Sequence, residues 1–212
     1  MLEHATMQMA RLCGIHSADI QALILNTHYG HSHAVAVRRF DREGQNRLHV
    51  LSAHVALAAA GEEMGYPELA QLLRRLGEPE YIARQQKELF RRMVFNILID
   101  NTDDHEKNHA LIRQVNGKYA LSPAYDVLPT MQGLRLQQMR VGKYGSESTV
   151  VNALSECLQF GLKVNQAKAI VKEISDVVSQ WRAYFAALGV GVETLDQVSR
   201  FVDGAFLREQ RF

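Results

Sequence analysis

Five polar residues, Asp100, Asp103, Asp104, His105 and Asn108, fall within nine positions of one another, and a further carboxylate, Asp126, follows in Ser122-Pro123-Ala124-Tyr125-Asp126. A loop carboxylate suits the base or orienting group that an incoming hydroxyl needs in phosphoryl transfer. An amide oxygen and a second carboxylate suit Mg²⁺, a hard cation that takes one or two protein oxygens and fills its shell with phosphate and water. On this reading Asp103 orients the hydroxyl, while Asn108, five residues later, and Asp126 hold the metal. Lys107 is placed to approach a γ-phosphate. Asp104 and Glu106 read as solvent-facing, and Asp100 as a cap on the preceding helix or a hold on the loop.

These residues need a rigid base. Leu89, Phe90, Met93, Val94, Ile97 and Leu98 recur at i, i+3, i+4 spacing, which predicts a helix from about Tyr81 to Ile99 with a broad buried face. Asn116-Gly117 predicts a type I′ turn between His109–Gln114 and Lys118–Ser122, a hairpin that returns Asp126 to the neighbourhood of Asn108.

The run FNILIDNTDDHEKNH, residues 95–109, with LSPAYDVLP, residues 121–129, resembles the HipA-like serine/threonine kinases, toxins of bacterial toxin–antitoxin modules. The resemblance extends to EHATMQMARLCGI, residues 3–15, to VRRFDR, residues 37–42, and to the helical tail. It implies a protein-kinase-like α+β fold, mostly helical, using ATP and Mg²⁺ on a protein substrate, with a target in translation. Residues 1–42 would be the remnant of an N-lobe and residues 43–212 a helical C-lobe, with its catalytic loop at 100–109 and its metal-binding segment at 121–130. Asp103 would be the catalytic base, Asn108 and Asp126 the magnesium ligands, His105 a contact to the nucleotide phosphates, and Phe40 and Asp41 part of the hinge for adenosine. Arg38 departs from the family, which more often carries an acidic residue there. The implied partner is a HipB-like DNA-binding antitoxin.

Composition narrows the remaining classes. Lys plus Arg number 24 against 23 for Asp plus Glu, a net charge of +1, so no dominant nucleic-acid-binding surface is indicated. No run of about 18 apolar residues occurs and no export signal is visible, which points to a cytoplasmic protein outside the membrane. Cys13 and Cys157 sit in apolar helical contexts and read as buried thiols in a reducing compartment.

Along the chain, a helix is expected from Glu3 to Cys13, then antiparallel strands at Ile20–Leu25 and Ala34–Phe40. His28, His31 and His33 between them read as a solvated hairpin tip. A loop at Arg42–Arg47 precedes helices at Leu51–Ala60 and Pro67–Leu76. Met131 to Tyr144, basic and glycine-containing, reads as a mobile loop, and helices follow over Thr149–Phe160, Asn165–Leu188 and Glu193–Glu209.

The donors that hold ATP phosphates in kinases, a Gly-rich loop and a strand lysine, are not visible, and the first lysine is Lys87. The chain therefore reads as a family core that begins in mid-fold, with weak nucleotide binding and little turnover alone. Two alternatives stay open: a catalytically inactive module that binds an antitoxin or a partner lobe, and a metal-dependent phosphohydrolase or lipid or small-molecule kinase.

Overall fold

The computed structural model describes residues 1–27 and 30–211. Helix α1 (Leu2–Leu12) buries Ala5, Met7, Met9 and Ala10 and ends at Gly14, where φ is +71°. Strands β1 (Ile20–Thr27) and β2 (Gly30–Val37) pair antiparallel, Ile20 opposite Val37. His28 lies outside the described residues, whereas His31 and His33, expected at the hairpin tip, belong to β2 opposite Asn26 and Ile24. The stretch expected as a plain loop forms a small hairpin, β3 (Arg42–Glu43) with β4 (Asn46–Arg47), turning through Gly44 at φ +60°.

Strand β5 (Val50–Ser52) leads into α2 (Ala53–Ala60), α3 (Tyr66–Leu76) and α4 (Ile82–Leu98). The expected start of α2 at Leu51 is corrected: Ser52 is its N-cap, its hydroxyl accepting from Val55 N at 3.3 Å, and the residues before it extend into a strand. Strands β6 (Ala110–Arg113) and β7 (Tyr119–Leu121) complete a three-stranded antiparallel sheet in the order β5-β6-β7. Their turn is not type I′. Only Gly117 has positive φ, at +79°; Gly117 N donates to Gln114 O at 2.9 Å and Gln114 N to Lys118 O at 2.7 Å. That is a three-residue loop with glycine in the left-handed position, the next commonest hairpin connection.

The tail contains α5 (Val150–Ser155), a 3₁₀ turn at Cys157–Phe160, α6 (Val164–Val178), α7 (Trp181–Ala187), α8 (Val192–Val202) and α9 (Ala205–Arg208). Each expected long helix is broken by a tertiary tie. Glu156 turns out of α5 to pair with Arg140 at 2.5 Å, and Trp181 Nε1 donates to Asp203 Oδ1 at 3.0 Å across two of the breaks. The segment read as mobile is anchored. Met139 and Val141 are fully buried, and Arg140 between them pairs with Glu68 and Glu156.

Helix α4 runs through the core. Leu89, Phe90, Met93, Val94, Ile97 and Leu98 are all 0% exposed, each such side chain contributing about 1.5–3 kcal/mol. Phe90 meets Phe160 edge-on at 5.3 Å, and α3 and α6 flank the helix. Cys13 and Cys157 are free and buried, as expected. Among the described residues, no helix is long and apolar enough to cross a membrane.

Candidate functional site

Helix α4 ends at Ile99, and Asp100 reverses the chain with φ +60°, a left-handed conformation that Asp and Asn tolerate better than most residues. Its carbonyl accepts from Thr130 N at 2.9 Å and Thr130 Oγ1 at 2.8 Å, and Thr130 Oγ1 lies 2.7 Å from Thr102 Oγ1. The stretch after Asp126 is thereby fastened to the start of the loop. Asp100 is 6% exposed as a residue, and burial pushes its carboxyl up to about 6 although the Gly133 N–H bonds it.

Asp103 and Asp104 part company. Asp103 is exposed and makes no hydrogen bond or ion pair with another described residue. Asp104, expected in solvent, is 2% exposed. The reason is chemical: its Oδ2 accepts from the Tyr66 hydroxyl and from His109 Nε2 at 2.8 Å, so a buried carboxylate finds two donors. Burial alone would raise this carboxyl, but His109, Tyr66 and Arg92 outweigh it and hold the group below the usual carboxylate range. Burial and then the Asp104 charge push the Tyr66 phenol well above its ordinary value.

Beyond Asp104 the loop turns tightly, Asn108 N donating to His105 O at 2.8 Å. His105 is half-buried with its Nδ1 sheltered and unpartnered among the described residues, Lys107 is exposed, and Asn108 is 7% exposed. The start of α2 supports the far side. Ala53 N donates to His109 O at 2.8 Å, His54 N to Glu106 O at 3.2 Å, and His54 Nδ1 to Glu106 Oε1 at 2.8 Å. Against its partial burial, that bond helps hold Glu106 below its ordinary value. Glu106 is thus engaged rather than facing solvent.

Asp126 is exposed, with φ +57°, and lines a cleft of about 480 Å³ together with Glu3, Arg38, Phe40, Asp41, Ser52 and Tyr125. Tyr125 joins the two sides: its ring stacks on Phe40 at 5.3 Å and 30°, and its hydroxyl donates to Lys107 O at 2.6 Å. Burial, then the charge of Asp104, pushes its phenol up to about 12. Asn108 and Tyr125 wall one small internal cavity. The structure therefore brings Phe40, Asp41 and Asp126 onto one cleft and ties Lys107 and Asn108 to it through Tyr125. Asp103, His105, Lys107 and Asn108 are not on the wall of that cleft; Asn108 lines the small internal cavity instead.

On the Phe40 side of the cleft, the Asp41 carboxylate is gripped by Arg39, Nε to Oδ1 at 2.7 Å, and Arg39 holds it below its usual range. Its acceptor oxygens are occupied. The backbone N–H and C=O groups of Arg39 and Phe40 carry no hydrogen bond among the described residues and remain open to a ligand.

Three residues at the site escape the sequence pattern. Glu3 lines the cleft, and burial, then the charge of Asp126, pushes its carboxyl up. Its only signal is that it is the one acid in α1. Tyr125 was visible only as a neighbour of Asp126. Tyr66, just before Pro67, gives no warning that its hydroxyl faces the loop.

The donor set fits a hard divalent cation. Asn108 offers an amide and Asp126 a carboxylate without a partner among the described residues. No cluster of three or more His, Cys, Asp or Glu that could hold a metal by protein ligands alone occurs among them.

This is a kinase-like fold. The chain aligns with a chain of the Shewanella oneidensis MR-1 toxin–antitoxin complex of HipA, HipB and operator DNA at TM-score 0.71 and 19% identity, covering 99% of this chain and 57% of that one. It aligns with the Helicobacter pylori proinflammatory kinase CtkA at TM-score 0.65 and 10% identity, covering 99% of this chain and 79% of that one. The family model of the HipA-like C-terminal domain matches residues 1–181, and the chain belongs to that family. It is 27% identical over 196 residues to the Sinorhizobium fredii protein named "Putative kinase Y4dM", covering 87% of this chain and 48% of that protein. It is 26% identical over 136 residues to a Haemophilus influenzae protein named "Putative kinase", covering 58% and 39%. The chain spans less than half the length of these curated relatives.

Proposed function

We propose that this chain is the catalytic part of a serine/threonine protein kinase that transfers the γ-phosphoryl group of Mg-ATP to a protein hydroxyl. The carrying observation is the convergence of the open hinge at Arg39–Phe40, the Asp126 carboxylate and, through Tyr125, the Lys107–Asn108 end of the loop. Phe40 and Asp41 flank the base, Tyr125 backs Phe40, and the free hinge amide and carbonyl groups read its edge. Asn108 and Asp126 hold Mg²⁺, which when bound neutralises charge on the phosphates. His105 and Lys107 face the phosphate end, and the solvent-facing Asp103 accepts the proton of the incoming hydroxyl. Residues 1–42 belong to the N-lobe side of the cleft and 43–212 to the C-lobe.

The Shewanella neighbour is in complex with HipB and DNA, which supports a HipB-like antitoxin as the partner here, with the toxin's target a protein of the translation machinery. Transfer of radiolabel from ATP to protein serine or threonine should be lost in Asp103→Asn while Mg-ATP binding persists. Undiminished transfer in that variant contradicts the assignment. A second reading, a binding module that holds an antitoxin or partner lobe without turnover, is favoured by the placement of Asp103, His105 and Lys107 off the wall of the cleft that Asp126 lines. A pull-down with HipB-like protein that succeeds in the absence of any phosphotransfer would select it.

A further inference from the structure

The loop from Asn101 to His109 is fastened from beneath at both ends and in the middle, and all three ties reach one buried patch. At its start, Asn101 Nδ2 donates to Asn96 Oδ1 at 3.1 Å and Asn101 N to Asn96 O at 2.9 Å. In its middle, Asp104 accepts from Tyr66 of α3. At its end, the His109 imidazole donates to the same Asp104 oxygen, and its ring stands edge-on to Tyr66 at 5.6 Å. Asn96 Nδ2 reaches the Tyr66 hydroxyl at 3.5 Å, linking the first tie to the others. Arg92, 3% exposed and itself bound to Glu88 and to Ser122 O, adds positive charge that favours the Asp104 carboxylate.

Between these ties the polar groups divide by direction. Asp103 and Lys107 face solvent, whereas Asn108, one residue before the His109 tie, is nearly buried. Groups that must meet a metal and a hydroxyl within tenths of an ångström act well only if they need little reorganisation on binding. Two donors meet on one Asp104 oxygen, and the carboxylate charge strengthens both bonds in a way a neutral amide oxygen does not. An amide at position 104 would turn one side of the group into a donor.

We propose that Asp104 is the positioning residue of this loop: with Tyr66 and His109 it forms a clasp that aims Asn108 at the metal and Asp103 at the hydroxyl. The direction toward metal and hydroxyl rests on the kinase reading above; the clasp itself does not. The carboxylate acts through its neighbours and touches neither nucleotide nor substrate.

The test compares the chain with Asp104→Asn and Tyr66→Phe, reading amide hydrogen exchange over residues 101–109 and over Ile82–Leu98, and Mn-ATP affinity by electron paramagnetic resonance. Residues behind a ligand shell typically change metal affinity by about 10–100-fold. Loop amides are expected to exchange about tenfold faster in both variants with α4 unchanged, and Mn-ATP affinity to fall about tenfold while metal-free ATP binding holds. Wild-type loop exchange in folded variants overturns the proposal, as does acceleration spread equally through α4, which marks a general staple. If the unaltered chain binds no Mn-ATP, the kinase reading fails, and exchange alone decides the clasp. If Asp104→Asn does not fold, Tyr66→Phe, which keeps the ring, decides it.

Discussion

Behind Asn108 and the loop lie α3, α4 and a three-stranded sheet, whereas behind Phe40 and Asp41 lies a two-stranded hairpin whose Leu23, Ile24 and Leu25 are 36%, 68% and 47% exposed. The loop wall is over-determined, with buried donors and acceptors matched and a core helix beneath. In the hairpin wall, Leu23 and Leu25 face one side and Ile24 the other, so both faces present apolar surface and only a few residues, Ile20 and Val35 among them, meet the body. The difference separates two tasks. Under the proposed kinase function, metal and hydroxyl geometry, which tolerates little displacement, falls to the rigid wall, and base recognition, which needs only a flat ring and open backbone groups, falls to the hairpin wall.

The strongest way to break the comparison is to hollow out the rigid wall. Phe95, 1% exposed beneath Asp104 and Asn108, should cost about 3–5 kcal/mol of stability when replaced by alanine, measured by urea unfolding. A loss under about 1 kcal/mol would show that the loop does not stand on this core.

A change of opposite sign is expected at the loop's entrance. Burial raises the Asp100 carboxyl to about 6 in the folded chain, so folding favours its protonated form. The penalty is absent below the unfolded value and fully present once pH passes the folded one. Asp100→Asn keeps an acceptor for Gly133 N–H and tolerates positive φ, so it should stabilise the chain by about 2 kcal/mol at pH 8, fading toward pH 4. A gain that does not vary with pH would assign the effect to something other than this carboxyl.

On the hinge wall, Phe40→Ala removes the ring stacked on Tyr125 and should weaken ATP binding about five- to tenfold while leaving its Mg²⁺ dependence unchanged, as read by fluorescent-nucleotide displacement. An altered Mg²⁺ dependence would merge the two tasks. The smallest effect belongs to the hairpin face: Ile24→Thr should change stability by no more than about 0.5 kcal/mol. A larger loss would show that Ile24 is covered in solution.

How far the sequence was legible follows the same division. Helix α4, the β6–β7 hairpin and the β1–β2 pairing were readable because apolar period and turn residues are local signals. The start of α2, the breaks near Glu156 and Ser179, and the anchoring of Met131–Tyr144 were not, since partners far along the chain decide them: β6 for Val50–Ser52, Arg140 for Glu156, Asp203 for Trp181. Asp104 is the clearest case. Next to Asp103 it carries no local mark of burial, and only Tyr66, brought up by α3, makes the buried carboxylate satisfiable.

The most direct test of the cleft is calorimetric titration of Mg-ATP into the purified chain and into Asp126→Asn. One binding event is expected, with an affinity that falls by at least about tenfold in the variant. Equal affinity in both proteins, or no binding to either, contradicts that expectation.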